Sequence, residues 1–338
     1  MPPKLYGGTE RVVSYLTEEL VRNGHEVTLF ASGDSRTSAK LHAGYPTALR
    51  LAGLSQIAHF GIGLHLPMFS KLYRESDQYD IIHSHLDYWL MPFAEVVATP
   101  TITTMHGRLD IESLHQVYRS FSDHPVVSIS NAQRGPMPWM NWMDTVYHGV
   151  PRDLLKFNPA KGKYLAFLGR ISPEKRPDLA IEVARRAGIP LKIAAKVDPV
   201  DQRYFADVIK PKLREGGVEY IGEIADDQKS EFLGNALALL FPIDWPEPFG
   251  LVMIEALACG TPVIAAPRGS VPEVLRDGVT SLLASDVGAM VAAVNKVESL
   301  SRVKCRDEFE RRFTSEVMAR NYERLYEALI ERVSVGAP

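Results

Sequence analysis

Short apolar runs alternate with amphipathic helical segments along most of this chain, and this alternation constrains the fold more than any other feature. In segment 9–23, Val12, Leu16 and Leu20 recur at helical spacing, and Gly24 follows as a stop signal. Short apolar runs bounded by Gly, Pro, Asp and Asn are typical of strands that are buried on both faces. The alternation therefore predicts an α/β fold in which parallel strands are joined by crossover helices.

The predicted strands form two series, separated by a polar linker at 151–162 that contains Pro151, Pro159 and Gly162. The strands of the first series are predicted at residues 25–31, 80–85, 100–106, 126–131 and 145–148. Those of the second series are predicted at residues 164–169, 191–196, 218–222, 238–242 and 262–265, with helices at 177–186, 226–235 and 250–258. From Asp286 onward the pattern predicts only helix.

The length of 338 residues exceeds one ordinary core, so we predict two doubly wound, Rossmann-like domains that face a central cleft. The first covers residues 1–155 and the second covers 156–318. The chain enters its first helix directly after Gly7 and Gly8, although a Rossmann-like half has a central strand before its first glycine loop. The sequence therefore predicts either a first sheet without its middle strand or a chain that starts late.

Charge and cysteine content limit the classes of function. The formal net charge is −3 with acids and bases interspersed, which argues against a nucleic-acid partner. Any anionic ligand is therefore expected in a local site. Two cysteines do not form a disulfide framework, and Cys259 in an apolar run is expected to be a buried small side chain. No apolar run approaches the ~18 residues of a membrane span, and the N-terminus lacks a signal-peptide core, so we expect a cytoplasmic protein.

Segment 244–256 carries the strongest chemical signal, because it follows a predicted strand and opens a helix. The N–H groups of Gly250, Leu251 and Val252 are expected to point into the cleft. Together with the helix dipole they would form an anion site suited to a diphosphate. A simple helix cap is the alternative interpretation.

Two glutamates belong to the same segment. Glu255 lies over a turn into the helix and could accept both hydroxyls of a ribose. Glu247 lies in the preceding loop and could accept hydroxyls of a sugar, on which Trp245 could stack. The alternative for Glu247 is a surface carboxylate without function, but a two-proline loop with a glutamate has little packing logic.

Basic and glycine-rich segments supply further phosphate candidates. Arg170 and Lys175 follow the first strand of the second series, and their charges suit diphosphate oxygens. A solvated basic loop is the alternative. Gly7 and Gly8 lead into the first helix and could let backbone amides reach a phosphate from the other side of the cleft, although a glycine pair alone is a weak signal.

Histidines mark the strand ends of the first series. His106 precedes Gly107 at the carboxyl end of a predicted strand and could hydrogen-bond the transferred sugar, or it could be an ordinary loop residue. His83, His85 and Asp87 have the spacing that begins a metallo-hydrolase signature, but no matching ligand cluster follows. We therefore predict no metal site.

These residues resemble the signature of the family 4 retaining glycosyltransferases, a glycogen-synthase-like group. The resemblance covers nearly the whole chain and rests on four motifs: Glu247 and Glu255 in Glu-Pro-Phe-Gly-Leu-x-x-x-Glu-Ala, Gly169-Arg170 with Lys175, the run 258–265, and Gly269-Ser270-Val271-Pro272-Glu273. It implies a GT-B fold with the donor bound mainly by the second domain. It also implies that the final helix, residues 319–338, packs back on the first domain.

The resemblance also implies residue roles. Arg170 and Lys175 would bind the diphosphate, Glu255 the ribose, and Glu247 with the Phe249–Gly250 backbone the donor sugar. The predicted catalytic residues are His106, Arg170, Lys175 and Glu247, and the predicted donor-binding residues are Gly7, Gly8, Arg170, Lys175, Glu247, Phe249, Gly250, Leu251, Val252 and Glu255. Such enzymes retain anomeric configuration without a metal, so no cofactor is expected.

The predicted substrates are a nucleotide-sugar donor, with UDP-glucose favoured over GDP-mannose, and a hydroxyl acceptor that is a small molecule, a glycan or a lipid. Two further interpretations stay open on the sequence. One is a nucleotide-sugar-binding protein without catalysis, and the second is a GT-B relative that acts as an epimerase or phosphorylase.

Overall fold

The computed structural model describes residues 7–49, 51–53 and 58–336. The helices and strands of the first half are α1 Gly8–Arg22, β1 Thr28–Ser32, β2 Lys40–Tyr45, α2 Ala58–Arg74, β3 Ile82–Ser84, α3 Met91–Ala94, β4 Thr101–Thr104, α4 Glu112–Arg119, β5 Val126–Ser128 and β6 Trp142–Thr145. All described strand pairs are parallel. The α/β architecture predicted from the sequence is thus confirmed.

The second half alternates strands and helices to the end of its sheet. Its elements are β7 Tyr164–Arg170, α5 Pro177–Ala187, β8 Leu191–Lys196, α6 Gln202–Tyr204, α7 Lys210–Leu213, β9 Val218–Gly222, α8 Asp226–Gly234, β10 Ala236–Phe241, α9 Leu251–Ala258, β11 Val263–Ala265, α10 Val271–Val274, β12 Ser281–Leu283, α11 Val287–Val294, α12 Arg302–Arg312 and α13 Ser315–Gly336. No helix among the described residues has the length and apolar character needed to cross a membrane.

The sheet of the second half is doubly wound. Its six strands lie in the order β9-β8-β7-β10-β11-β12, so the chain starts in the middle, moves to one edge and then returns to build the other side. The switch point therefore lies between β7 and β10, which pair directly through Leu165 with Ala238 and Ala166 with Leu239. The chain continues from these two strands towards opposite edges of the sheet, a topology that opens a crevice at their carboxyl ends.

The first half contains two separate sheets within the described part of the chain. One pairs β1 with β2, and the other has the order β3-β4-β5-β6. A groove of about 2210 Å³ lies between the two sheets and is lined by β1, β3 and the apolar face of α1. β1 and β3 each pair with only one described strand.

The last helix, α13, returns to the first half. Just before α13, Thr314 forms an isolated β-bridge with Val150 of the first half. The helix α13 then packs on α1. Buried Tyr322 shares a 2.9 Å hydrogen bond with Thr104 at the end of β4. This helix therefore ties the two halves of the molecule together.

Sequence reasoning misplaced or missed several elements. The strand expected at 145–148 is β6, which ends at Thr145 because that residue pairs with Ser128, the last residue of β5. The sequence interpretation contained no strand for β2, no helix for α2 and no strand for β12. The helical pattern of α2 is interrupted by Pro67, and β12 is too short to give a periodic signal.

Candidate functional site

The crevice at the switch point is built from the loops that follow β7 and β10. The two loops are joined where the Asp244 N–H donates to the Glu174 carbonyl at 2.8 Å. Since β7 and β10 are neighbours in the sheet, the basic segment after β7 and the acidic segment after β10 lie side by side.

Lys175 and Glu247 form an ion pair at this point, with side chains that are 15% and 8% exposed. The Trp245 indole N–H donates to the same Glu247 oxygen at 3.0 Å. The Lys175 ammonium also lies 4.8 Å from the centre of the Trp245 ring, at cation–π distance. Two residues predicted from separate motifs are thus brought into contact, and Trp245 joins them.

The loop that carries Glu247 is held by Gly269 and Ser270. A Cβ on Gly269 would lie 2.4 Å from the Glu247 carbonyl oxygen, so only glycine allows this approach. The Ser270 N–H donates to that carbonyl and the Ser270 hydroxyl donates to the Phe249 carbonyl, both at 2.9 Å. In the sequence, Gly269 and Ser270 were recognised only as part of a family motif, and no role was predicted for them.

The two halves of the chain meet at the start of α9. Gly250 precedes the helix with φ of 80°, a left-handed conformation that glycine adopts without strain. A Cβ on Gly8 would lie 3.3 Å from the Leu251 side chain, so the glycine loop of the first half contacts the first residue of α9. The backbone N–H groups of a first helical turn have no intrahelical acceptor, which makes this contact point suited to an anion.

Arg170 lies beside carboxylates in this structure. Its guanidinium donates to Glu174 at 2.9 Å and lies 3.5 Å from Asp198. Lys196 is a second cation on Asp198, at 2.5 Å. An anionic ligand at Arg170 would therefore share the guanidinium with these two acids.

Glu255 is buried in the second turn of α9, with 5% of the residue exposed. Its Oε1 accepts a 2.6 Å hydrogen bond from Lys229, a residue of α8 that is also buried. Lys229 was not identified from the sequence, because a single lysine on a polar helix carries no local signal.

His106 lies in a row of aromatic rings that leads from β4 to α9, and the rings of His148 and Phe249 in this row are buried. Its Nε2 is 2.9 Å from His85 Nδ1, and its ring stacks on His148 with centroids 5.1 Å apart. The His148 ring in turn packs edge-on against Phe249 at 4.9 Å. The ring of His148 therefore separates His106 from Phe249, which belongs to the loop of Glu247. His148 is also a candidate site residue, although the sequence identified it only as the end of a predicted strand.

Burial makes these histidines poor proton acceptors. Desolvation lowers the pKa of His106 to about 4, and it holds the pKa of His148 well below its ordinary value, with the nearby His106 as a second cause. Both imidazoles are therefore neutral near neutral pH. The His106 Nδ1 is buried and has no hydrogen-bond partner among the described residues.

The histidines at the end of β3 are engaged by the protein itself. His83 lies 2.6 Å from the Tyr326 hydroxyl and 2.7 Å from the Thr104 hydroxyl, one at each ring nitrogen. Within the described ranges, no three His, Cys, Asp or Glu side chains are grouped so that they could hold a metal ion.

Glu273 fastens the second half to the first. Its carboxylate accepts from the Asn131 N–H at 2.7 Å and from the Ala132 N–H at 2.6 Å, at the start of a short helical turn after β5. The Tyr147 hydroxyl donates to the same carboxylate at 3.2 Å. These contacts hold the two halves together at a second point.

Comparison with known proteins gives two family matches. The family described as Glycosyltransferase Family 4 matches residues 6–171, and the family described as Glycosyl transferases group 1 matches residues 155–315. Together the two matches cover nearly the whole described chain.

One curated relative is the D-inositol 3-phosphate glycosyltransferase of Mycobacterium marinum, 26% identical over 290 residues. The match covers 71% of this chain and spans 59% of the relative, about three fifths of its length.

Two solved structures share the fold. AviGT4, a glycosyltransferase involved in avilamycin A biosynthesis, aligns with a TM-score of 0.73 at 23% identity and covers 99% of this chain and 93% of its own. HepE from Anabaena in complex with UDP-glucose aligns with a TM-score of 0.74 at 19% identity and covers 97% and 98%. The GT-B fold class predicted from the sequence is thereby confirmed.

Proposed function

We propose that this chain, which matches two glycosyltransferase families in succession and has the GT-B fold, is a family-4-like glycosyltransferase that transfers a hexosyl unit from a nucleotide diphosphate sugar to a hydroxyl acceptor. The observation that carries the proposal is the contact between Lys175 and Glu247 beside the start of α9. This contact brings a cation and a carboxylate together, and we propose that the cation faces the leaving diphosphate and the carboxylate faces the sugar hydroxyls.

The diphosphate would lie at the start of α9. Here the free N–H groups and the positive end of the helix dipole favour an anion, and Lys175 adds a full positive charge. Gly8 lies against Leu251, so the glycine loop would reach the same phosphates from the first half. Arg170 would contribute by sharing its guanidinium between the ligand and the acids that it already contacts.

The sugar and the ribose would be held by carboxylates. Glu247 is fixed by Lys175 and Trp245, so its remaining lone pairs would accept sugar hydroxyls without a further loss of side-chain freedom. Glu255 would accept the ribose hydroxyls. His106 is neutral and its Nδ1 has no partner among the described residues, so it would serve as a hydrogen-bonding group for the sugar and not as a charged acid.

Transfer would proceed with retention by a front-face displacement. The bond from the anomeric carbon to the diphosphate oxygen breaks, and the acceptor oxygen bonds to the same face of that carbon. The acceptor proton passes to the departing diphosphate oxygen. Such a step needs positioning and charge stabilisation, and we propose that Lys175 and α9 supply the latter without a metal.

We propose UDP-glucose as the first donor to test and GDP-mannose as the second. The support for a uridine nucleotide is the similarity in fold to HepE, which was solved with UDP-glucose. The cytoplasmic location expected from the sequence stays a prediction.

The proposal is tested by incubating the protein with UDP-glucose or GDP-mannose and an extract of hydroxyl acceptors, while the release of nucleoside diphosphate is followed. We expect release from one donor, loss of that release in Glu247→Gln, and activity that survives EDTA. The matched control is Glu231→Gln, an exposed carboxylate of α8. No release from either donor, despite tight binding, would favour a nucleotide-sugar-binding protein without catalysis.

The same reaction separates a transferase from an epimerase and from a phosphorylase. An epimerase would yield an isomer of the donor, and a phosphorylase would require inorganic phosphate. Proton NMR of the product reports the anomeric configuration, and inversion would contradict the front-face mechanism.

A further inference from the structure

A row of four charged side chains runs from the first half of the molecule to Glu255. Arg11 in α1 donates from Nε to Asp226 Oδ2 at 2.9 Å. The Lys229 ammonium lies 3.0 Å from the other oxygen of Asp226 and donates to Glu255 Oε1 at 2.6 Å. Asp226 and Lys229 both belong to the first turn of α8, so one helix end links α1 with α9. We call Arg11, Asp226 and Lys229 the charge relay.

Together with Glu255, the charge relay is balanced and largely buried. Arg11 is 5%, Lys229 8% and Glu255 5% exposed, the Asp226 side chain is 23% exposed, and the two cations face two anions. Burial acts to raise the pKa of Asp226, but Lys229 and Arg11 outweigh it and hold that pKa below its ordinary value. Burial likewise acts to lower the pKa of Lys229, and Glu255 and Asp226 reverse the effect. Each charge therefore depends on its neighbour, because a buried charge without a partner is strongly unfavourable.

Arg11 has a second contact that connects the charge relay with the phosphate side of the cleft. Its Nη1 donates to the Gly7 carbonyl at 3.4 Å, within its own glycine loop. The same guanidinium thus contacts the loop of the first half that lies against α9 and the acid that fixes Lys229. Moving the halves apart would break the contact between Arg11 and Asp226.

We propose that Arg11, Asp226 and Lys229 are positioning residues that hold Glu255 in place for a ribose diol only when the two halves are closed. Lys229 occupies Glu255 Oε1, and no hydrogen bond to Oε2 is found among the described residues, so Oε2 is left to accept from the ligand. Without Arg11, Asp226 draws the Lys229 ammonium away from Glu255. This inference rests on the proposed role of Glu255 in ribose binding.

The test is calorimetric titration with UDP and with 2′,3′-dideoxy-UDP, which lacks the ribose diol. The dissociation constant of 2′,3′-dideoxy-UDP divided by that of UDP isolates the contribution of the diol. This ratio does not change when a variant loses affinity for both ligands equally. In Arg11→Gln and in Asp226→Asn we expect this ratio to fall at least about fivefold from the wild-type ratio. Arg11→Lys should restore part of it. Asp227→Asn, an exposed neighbour in the same turn, is the matched control and should keep the wild-type ratio.

The Glu255→Gln variant distinguishes the proposed charge relay from the proposed role of Glu255 in ribose binding. If its ratio approaches one while the Arg11 and Asp226 variants keep the wild-type ratio, the charge relay is overturned and the proposed function stands. If Glu255→Gln itself keeps the wild-type ratio, the ribose role in the proposed function is wrong. Thermal melting of each variant establishes that it is folded. Lys229→Met leaves Asp226 and the buried Glu255 without their shared cation and could unfold the protein, so the Arg11 variants carry the test.

Discussion

Replacing Lys175 with methionine removes one positive charge from the crevice and keeps most of the side-chain volume. The ammonium is paired with Glu247 and lies over Trp245, so its position is fixed before a donor binds. In the proposed reaction, a pre-organised charge of this kind would stabilise the charge that develops on a leaving diphosphate. Its loss typically reduces turnover by about 10²–10³-fold, or roughly 3–4 kcal/mol of transition-state stabilisation.

The same replacement also affects folding. The Glu247 carboxylate is 8% exposed and, among the residues that the structure describes, would keep only the Trp245 N–H as a donor. Leaving a mostly buried charged group partly unsatisfied costs about 1–3 kcal/mol, which would lower the melting temperature by several degrees without unfolding the protein. Activity must therefore be measured well below the melting temperature of the variant.

The assay is the release of UDP from UDP-glucose under saturating donor, with Lys163→Met as the matched control. Lys163 is exposed and lies in the same half of the chain. We expect the control to match the wild type in both turnover and melting temperature. A folded Lys175→Met protein whose turnover stays within about threefold of the wild type would refute the assigned role.

Three further predictions follow from the geometry. Gly269→Ala should weaken donor binding, because the new Cβ would lie 2.4 Å from the Glu247 carbonyl oxygen. Gly278 has a similar positive φ but open space around it, so Gly278→Ala should leave the titrated affinity unchanged. Burial lowers the pKa of His106 from 6.5 to about 4, so only the unfolded chain takes up its proton as the pH falls through this range. Denaturant titrations should show the free energy of unfolding falling by roughly 3 kcal/mol for this residue between about pH 6.5 and 4, and His106→Asn should remove that part of the slope. Tyr326→Phe should lower the free energy of unfolding by about 1–3 kcal/mol, because it leaves one ring nitrogen of the partly buried His83 unpaired; an unchanged denaturation midpoint would contradict that contact.

The fold was predictable where short apolar runs alternate with amphipathic helical segments. In the second half, strands such as β7 and β8 are apolar runs that end at a basic residue, and the helices between them have clear start and stop residues. The alternation predicted the parallel sheet, whereas the strand order that places the crevice after β7 and β10 is visible only in the structure. The elements that were missed, β2 and α2, lie where glycine and proline interrupt the periodicity.

The site was predictable in part, for a different reason. Lys175 and Glu247 were found from their separate loops, because loops at the carboxyl ends of strands carry ligands in such sheets. The contact between them could not be predicted from the sequence, because they are 72 positions apart in the chain. The charge relay was missed for the same reason, because Arg11 and Asp226 are 215 positions apart and neither belongs to a local motif.

A structure of the protein with UDP-glucose bound tests the central claim most directly. We expect the diphosphate within hydrogen-bonding distance of the Lys175 ammonium and of the first N–H groups of α9, with the sugar at Glu247 and the ribose at Glu255. Density for the nucleotide in the groove between β1 and β3, or anywhere away from the start of α9, would contradict the account.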